Sequence, residues 1–315
     1  MSETELDPAF PSRVYLRLSP ETTVARPALG LTVYIDEPLP WAREGALALL
    51  QAFNEFVPPG ALRYFTTSMI LDWRGLGREG MRAVNEALAI DFLGGRQLRH
   101  LFELRVCDDP DAPAYGFRYR EVDTSRVSRC GFIEFILPPT HEPADLLQLA
   151  LLIGHRFPFV SGMGGYMGSW NEAEKPTAFE QMFRWCCRYV GVDIQEPERM
   201  AWLARRGLAG TSWINMIGPK LAATCGVDLQ LLAARRWSQP DIAVMSLGQG
   251  TLIRAGAAPE IGDINRLVFP HGYAEVARAL QPLMLEEPPP LSGPFTQDEA
   301  GLRWYRRFVE PEGWS

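Results

Sequence analysis

Five acidic residues offer most of the chemistry that this sequence could carry. Asp108, Asp109 and Asp111 fall in the turn Asp108-Asp109-Pro110-Asp111-Ala112-Pro113. Glu260 and Asp263 fall in a glycine-rich stretch from Gly248 to Arg266. Grouped carboxylates can move a proton, hold a cation or attract a basic partner. A catalytic acid needs a desolvated pocket, and these acids sit in hydrophilic turns, so complementarity to a basic partner is the better use of them. The stretch from Gly248 to Arg266 admits two readings. Gly256, Pro259 and Gly262 exclude a regular element between Ala255 and Asn265. The loop either presents Glu260, Asp263 and Asn265 to a ligand, or braces two elements, with Asp263 or Asn265 capping a neighbouring backbone. No residue nearby completes a catalytic or metal set, which favours the brace.

Other chemical signatures fail on spacing. Ser161-Gly-Met-Gly-Gly-Tyr-Met-Gly168 lacks the lysine and spacing of a phosphate loop and reads as a tightly turned segment where backbones pack closely. The histidines, His100, His141, His155 and His271, lie far apart, and neither H-E-x-x-H nor C-x-x-C occurs. Ser161 and Ser246 precede glycine without forming a G-x-S-x-G elbow. Asn265, His271 and a cysteine could form a nucleophilic set, but no spacing supports it. No catalytic residue, metal or cofactor is therefore expected. Cys107, Cys130, Cys186, Cys187 and Cys225 are odd in number and widely spaced, unlike a disulfide framework. Trp73 and Trp170, at element ends, are candidates for interface anchors.

Composition narrows the partners. A net charge of −7 disfavours nucleic acid. No apolar run reaches the roughly 18 residues of a membrane span. The start, Met1-Ser-Glu-Thr-Glu-Leu-Asp, is acidic with no apolar segment behind it. The cytoplasm is the expected compartment, and no membrane partner is expected.

The elements that must position these residues follow from periodicity. Leu29, Leu31, Val33 and Ile35 alternate as one face of a strand. Residues 41–57 and 77–93 carry helical stripes, the second formed by Met81, Val84, Leu88 and Phe92 and closed by Gly94-Gly95. Residues 62–73 read as a strand between them, and 101–106, 115–122 and 130–137 as successive strands of an antiparallel meander. A helix over 144–156 closes the first half. Beyond it, helices are expected over 177–190, 197–206, 271–285 and 297–309. Asp228 caps a short helix from 229 to 235, and 242–247 pairs with 251–255 as a hairpin. The fold class is α+β, a mixed, largely antiparallel sheet with helices packed on it and a more helical second half. Residues 1–28 read as an N-terminal arm, 29–285 as a single domain, and 286–315 as a Pro-rich linker and C-terminal helix.

The series Thr211-Ser-Trp-Ile-Asn-Met-Ile-Gly-Pro219, Gly248 to Arg266 and Tyr273 to Pro282 resembles the TsiV-type immunity proteins of bacterial type VI secretion systems. Gly-Leu-Thr-Val-Tyr-Ile35 and the segment from Leu-Pro-Pro139 to Gly165 fit the same family, from about residue 29 to 285. This resemblance implies a non-catalytic cytoplasmic antitoxin that binds a cognate effector toxin and blocks its active site. Some relatives neutralise nucleases, and a chain of charge −7 suits the basic face of such a toxin. Asp108, Asp109 and Asp111 are the first candidates for that contact on charge, with Glu260 and Asp263 second. The alternatives are an enzyme whose site is assembled from distant residues, and a scaffold or adaptor of a secretion apparatus.

Overall fold

Two long strands lie side by side at the centre of the molecule. The computed structural model describes residues 16–17, 22–37, 42–89, 101–123, 129–248, 250–289, 291–296 and 298–314. In chain order the elements are β1 (Leu16–Arg17), β2 (Thr23–Ile35), α1 (Ala42–Phe56), β3 (Tyr64–Thr67), β4 (Ile70–Gly75), α2 (Arg78–Ala89), β5 (Glu103–Cys107), β6 (Gly116–Arg120), β7 (Gly131–Leu137) and α3 (Pro143–Arg156). The second half contains β8 (Ser161–Trp170), α4 (Lys175–Arg188), α5 (Pro197–Met200), β9 (Ile214–Ile217), α6 (Pro219–Thr224), α7 (Leu229–Ala233), β10 (Ile242–Leu247), β11 (Gly250–Ala255), α8 (His271–Leu280) and α9 (Asp298–Tyr305). The sheet order is β10-β11-β9-β8-β2-β7-β6-β5-β3-β4, with β1 beside the start of β2. Every ladder among the described residues is antiparallel. The only parallel pairings among them are isolated bridges such as Met167 with Asp193. The molecule is an α+β protein, as its sequence pattern indicates.

The alternation of β2 carries across the sheet in register. Leu31 stands opposite Phe135, then Phe117, Val106 and Phe65. This row packs under helices: Phe53 of α1 lies 5.3 Å from Phe135, ring to ring, and Gly80 of α2 lies against Phe65. The neighbouring row, on the opposite face, runs Thr32, Glu134, Arg118, Arg105 and Thr66. One face of this half of the sheet is therefore apolar and helix-covered, and the other is charged.

Several local expectations change, among them the helix read over 197–206, which ends at Met200. The glycine-rich segment read as a turned loop is the ten-residue strand β8, buried almost throughout. It pairs with β2 over its full length. Its glycines clear room for packing: a Cβ on Gly168 would fall 2.3 Å from Met182 Sδ of α4. The single strand expected over 62–73 is a hairpin, β3 and β4. Its turn is held by Thr66, whose hydroxyl donates to the Ile70 carbonyl (2.6 Å). The strand β2 begins at Thr23, so six residues of the stretch read as an arm are central sheet. The expected end of α2 at Phe92 and Gly94-Gly95, and His100, lie outside the described residues. The hairpin over 242–247 and 251–255 forms as β10 and β11, in register Val244 to Ile253.

Past the 286–294 segment the chain packs back onto the body. Leu291 and Phe295 are buried, and the Ser292 N–H donates to Glu196 Oε1 (2.5 Å). Phe295 meets Trp304 of α9 edge-on, with ring centroids 5.1 Å apart. Just after α9, Arg307 is 1% exposed. It donates to the Val190 carbonyl (2.8 Å) and to Asp193 Oδ1 (3.2 Å), and stacks over the Trp304 ring at 3.9 Å.

Candidate functional site

The turn after β5 uses its acids to hold its own shape. Asp108 Oδ1 accepts from the N–H groups of Ala114 (2.9 Å) and Tyr115 (3.0 Å), and the Asp108 carbonyl accepts from Arg63 Nε (3.0 Å). Asp109 Oδ1 accepts from the Asp111 N–H (3.1 Å), while its Oδ2 pairs with Arg26 Nη2 of β2 (3.1 Å). Asp111 is hydrogen-bonded to the Asn171 side chain. The three aspartates are brought together at one end of the charged sheet face, half-buried and each with an intramolecular partner.

Glu260 and Asp263 part company with that group and with each other. Glu260 is exposed, and its backbone N–H donates to the Tyr273 hydroxyl (3.0 Å). Asp263 is buried and grips α4: Arg188 donates through Nε (3.1 Å) and Nη2 (2.8 Å). Asp263 also accepts from the Asn265 N–H (3.1 Å), capping a 3-10 turn over Ile264–Arg266. The hydrogen bond from Arg188, with its charge, outweighs burial and holds the Asp263 carboxyl below the usual range. Further ties run from the Gly191 N–H to the Ile261 carbonyl (2.7 Å) and from Trp213 Nε1 to the Gly256 carbonyl (3.0 Å). Between the two readings of this loop, the geometry is that of the brace. Beyond it, Leu267 adopts φ 57° and is 89% exposed. With Val268 it borders a cavity of about 380 Å³, lined also by Phe269, His271 and Trp314. Glu260 lies within electrostatic reach of His271.

The residues that the sequence reading passed over lie on the charged face of β5, β6 and β7. Arg118 Nε donates to Glu103 Oε1 (2.8 Å) and its Nη2 to Glu198 of α5. Arg105 donates to the same two acids (2.6 and 3.2 Å). Burial pushes the Glu198 carboxyl up, but the charge and hydrogen bond of Arg118 outweigh it and hold it at about 2. Glu134, directly across from Arg118 in register, is left out of this network. It is 7% exposed and makes no hydrogen bond or ion pair among the described residues. Burial, only partly offset by Arg118 and Arg105, pushes its carboxyl up to about 7. The signal was in the sequence: Gly131-Phe-Ile-Glu-Phe-Ile-Leu137 holds one charge in an otherwise apolar strand.

Glu134 lines a groove of about 80 Å³ with Arg118, Arg105, Trp73 and Trp170, closed at one end by Pro110 and Pro113 of the acidic turn. Trp73 is 37% exposed, Trp170 less so. Trp213 and Trp304 are core. No group of three or more His, Cys, Asp or Glu among the described residues is placed to hold a metal. All five cysteines are free thiols. No described helix is long and apolar enough to cross a membrane.

Against known proteins, the family TsiV, described as type VI immunity for VRR-NUC, matches residues 47–308. Among solved structures the chain is similar to the Pseudomonas aeruginosa T6SS protein PA0821, with a TM-score of 0.75 and 19% sequence identity. That alignment covers 93% of this chain and 88% of the other. At this identity the likeness concerns the fold alone. No curated protein matches the chain.

Proposed function

The chain belongs to the TsiV family of type VI immunity proteins, and we propose that it protects its cell by binding a cognate nuclease toxin and covering the toxin's active site. The family match, which runs through most of the folded body, carries this reading. The VRR-NUC of the family description supplies the toxin class. A nuclease grips phosphate with a basic face, and a partner of net charge −7 is attracted to such a face over a Debye length. The chain acts here as a stoichiometric inhibitor and not as an enzyme. We place it in the cytoplasm, where its five free thiols persist.

We set the contact on the side that carries the 108–113 turn and the groove it closes. Asp108 and Asp109 act there through their field, since their oxygens are occupied by the turn and by Arg26. Asp111 is the third acid of that edge. Glu260, with the aliphatic tip at Leu267, forms a second candidate edge, and Asp263 serves it by holding the loop in place.

The test is co-expression of the VRR-NUC-type effector with and without this chain, followed by purification of the pair. Restored growth with a one-to-one complex and blocked DNA cleavage is the expected result. Protection at substoichiometric amounts, with the toxin chemically altered, would replace this reading with an enzymatic one. Absence of both protection and complex would end it. Reversing Asp108, Asp109 and Asp111 to Lys is expected to slow association and weaken protection. Asp111→Lys alone, which spares the Asp108 carboxylate that accepts from the Ala114 and Tyr115 N–H groups, serves as the control for the fold.

A further inference from the structure

Glu134 is a buried acid without a hydrogen bond or ion pair among the described residues, although an arginine stands directly opposite. The two guanidinium groups nearest it are taken: Arg118 and Arg105 both donate to Glu103 and to Glu198. Across the other flank, Thr32 is Glu134's register partner on β2, and its hydroxyl is buried without a hydrogen bond. Of the two, only Glu134 lines the groove. An orphaned polar group in a folded interior is costly and persists where something completes it. Four acids, Glu103, Glu134, Glu172 and Glu198, share this face with four arginines, Arg105, Arg118, Arg120 and Arg129, and of the acids that line the groove Glu134 is the one without an ion pair to Arg105 or Arg118 that is also buried in the sheet.

We propose that the groove is a socket for an arginine side chain of the toxin, whose guanidinium pairs with the Glu134 carboxylate and lies against Trp73. This rests on the reading of the chain as a toxin-binding immunity protein. The cavity of about 80 Å³ is several times the roughly 10–15 Å³ that admits one water, which leaves room for the head of one long side chain. A guanidinium suits it better than an ammonium, because a planar fork engages both oxygens of a carboxylate and stacks on an indole. A metal ion does not suit it, since no cluster of ligands accompanies Glu134 among the described residues.

The ionisation of Glu134 gives the proposal a direct readout. The groups facing it are Arg118 on β6, Arg105 on β5, Glu198 on α5, Glu172 after β8, and Tyr34 on β2. With its carboxyl at about 7, Glu134 is roughly half protonated at neutral pH, so an arriving guanidinium must displace a proton. The titration of Glu134 is followed by carboxyl-carbon NMR with Nα-acetyl-L-argininamide and, as the neutral control, Nα-acetyl-L-citrullinamide. The arginine amide is expected to lower the midpoint and the citrulline amide to leave it in place. In the complex, calorimetry in buffers of differing ionisation heat is expected to show about half a proton released per toxin bound at pH 7. Glu134→Gln should abolish that release and weaken binding at least about tenfold. Equal responses to the two amides, or a complex whose affinity and proton balance ignore Glu134→Gln, would overturn the socket while leaving the toxin-binding reading intact. Failure of wild-type chain and toxin to associate would instead remove that reading, and the amide titration still judges the groove by itself.

Discussion

At the scale of the residue, Glu134 costs the fold stability whenever it is ionised. Its folded pKa is raised, to about 7 against 4.5 for the free side chain, so the native state holds a proton that the unfolded chain releases. Stability from this group therefore declines as pH rises from about 4.5 through 7 and stays low above that. Glu134→Gln is expected to stabilise the protein at pH 8 by on the order of 2 kcal/mol and to change little at pH 4, as read by urea denaturation at the two pH values. Asp263 runs the opposite way. Its pKa is lowered, foremost by the Arg188 hydrogen bond, so its contribution is complete above the unfolded value and disappears as pH falls through the folded one. Asp263→Ala is expected to cost about 2 kcal/mol at neutral pH, with little change in the rate of toxin association. A large loss of that rate without loss of stability would return Asp263 to the role of contact. In the sequence one is an acid in a glycine-rich loop and the other a lone charge in an apolar strand, and neither setting says whether a cation meets it. Only the presence of Arg188 beside one, and the capture of Arg118 away from the other, separates them.

At the scale of the element, the brace and the glycine strand depend on backbones that pass within contact of each other. Gly191 ends the segment after α4, and a Cβ there would fall 1.9 Å from the Glu260 carbonyl oxygen. Backbone cannot yield as a flexible side chain can, so Gly191→Ala is expected to destabilise by about 2–4 kcal/mol in chemical denaturation. Gly168→Ala meets the far end of Met182 instead and is expected to cost less. This difference also explains how β8 escaped notice. Glycine weakens a strand on its own, and the strand forms here because β2 supplies a partner along its whole length and α4 fills the space that the missing side chains leave. The amphipathic helices α1 and α4, and the apolar alternation of β2, were legible because their periods of 3.6 and 2 need no partner to be read.

At the scale of the whole molecule, the C-terminal segment is a working part of the fold. Arg307 satisfies the buried Asp193, and Phe295, Trp304 and Phe308 close the core beside α4 and α8. The family match itself runs to residue 308. A chain ending at residue 290 is expected to lose cooperative thermal unfolding. Arg307→Ala, which strands a buried carboxylate, is expected to cost about 3–5 kcal/mol. Charge acts at this scale too. If association is steered by the overall charge of −7, raising salt from low to physiological strength should slow it by about tenfold or more while leaving dissociation nearly constant, as stopped-flow mixing can show. An association rate that does not change with salt would mean that the approach is not electrostatic.

The sequence by itself determined the class of fold, most helices, the meander and the hairpin, because local periodicity and turn chemistry specify those without reference to distant residues. It also carried the family, through a series of short motifs distributed along the chain. The tertiary structure alone decided which acids are spent and which are free. Pairing of β5, β6 and β7 places Glu134 against Arg118, and the arrival of α5 from far along the chain draws that arginine to Glu198. An ion pair between residues 80 positions apart has no period and leaves no local trace, so the vacancy it creates at Glu134 becomes visible only when the strands are laid in register.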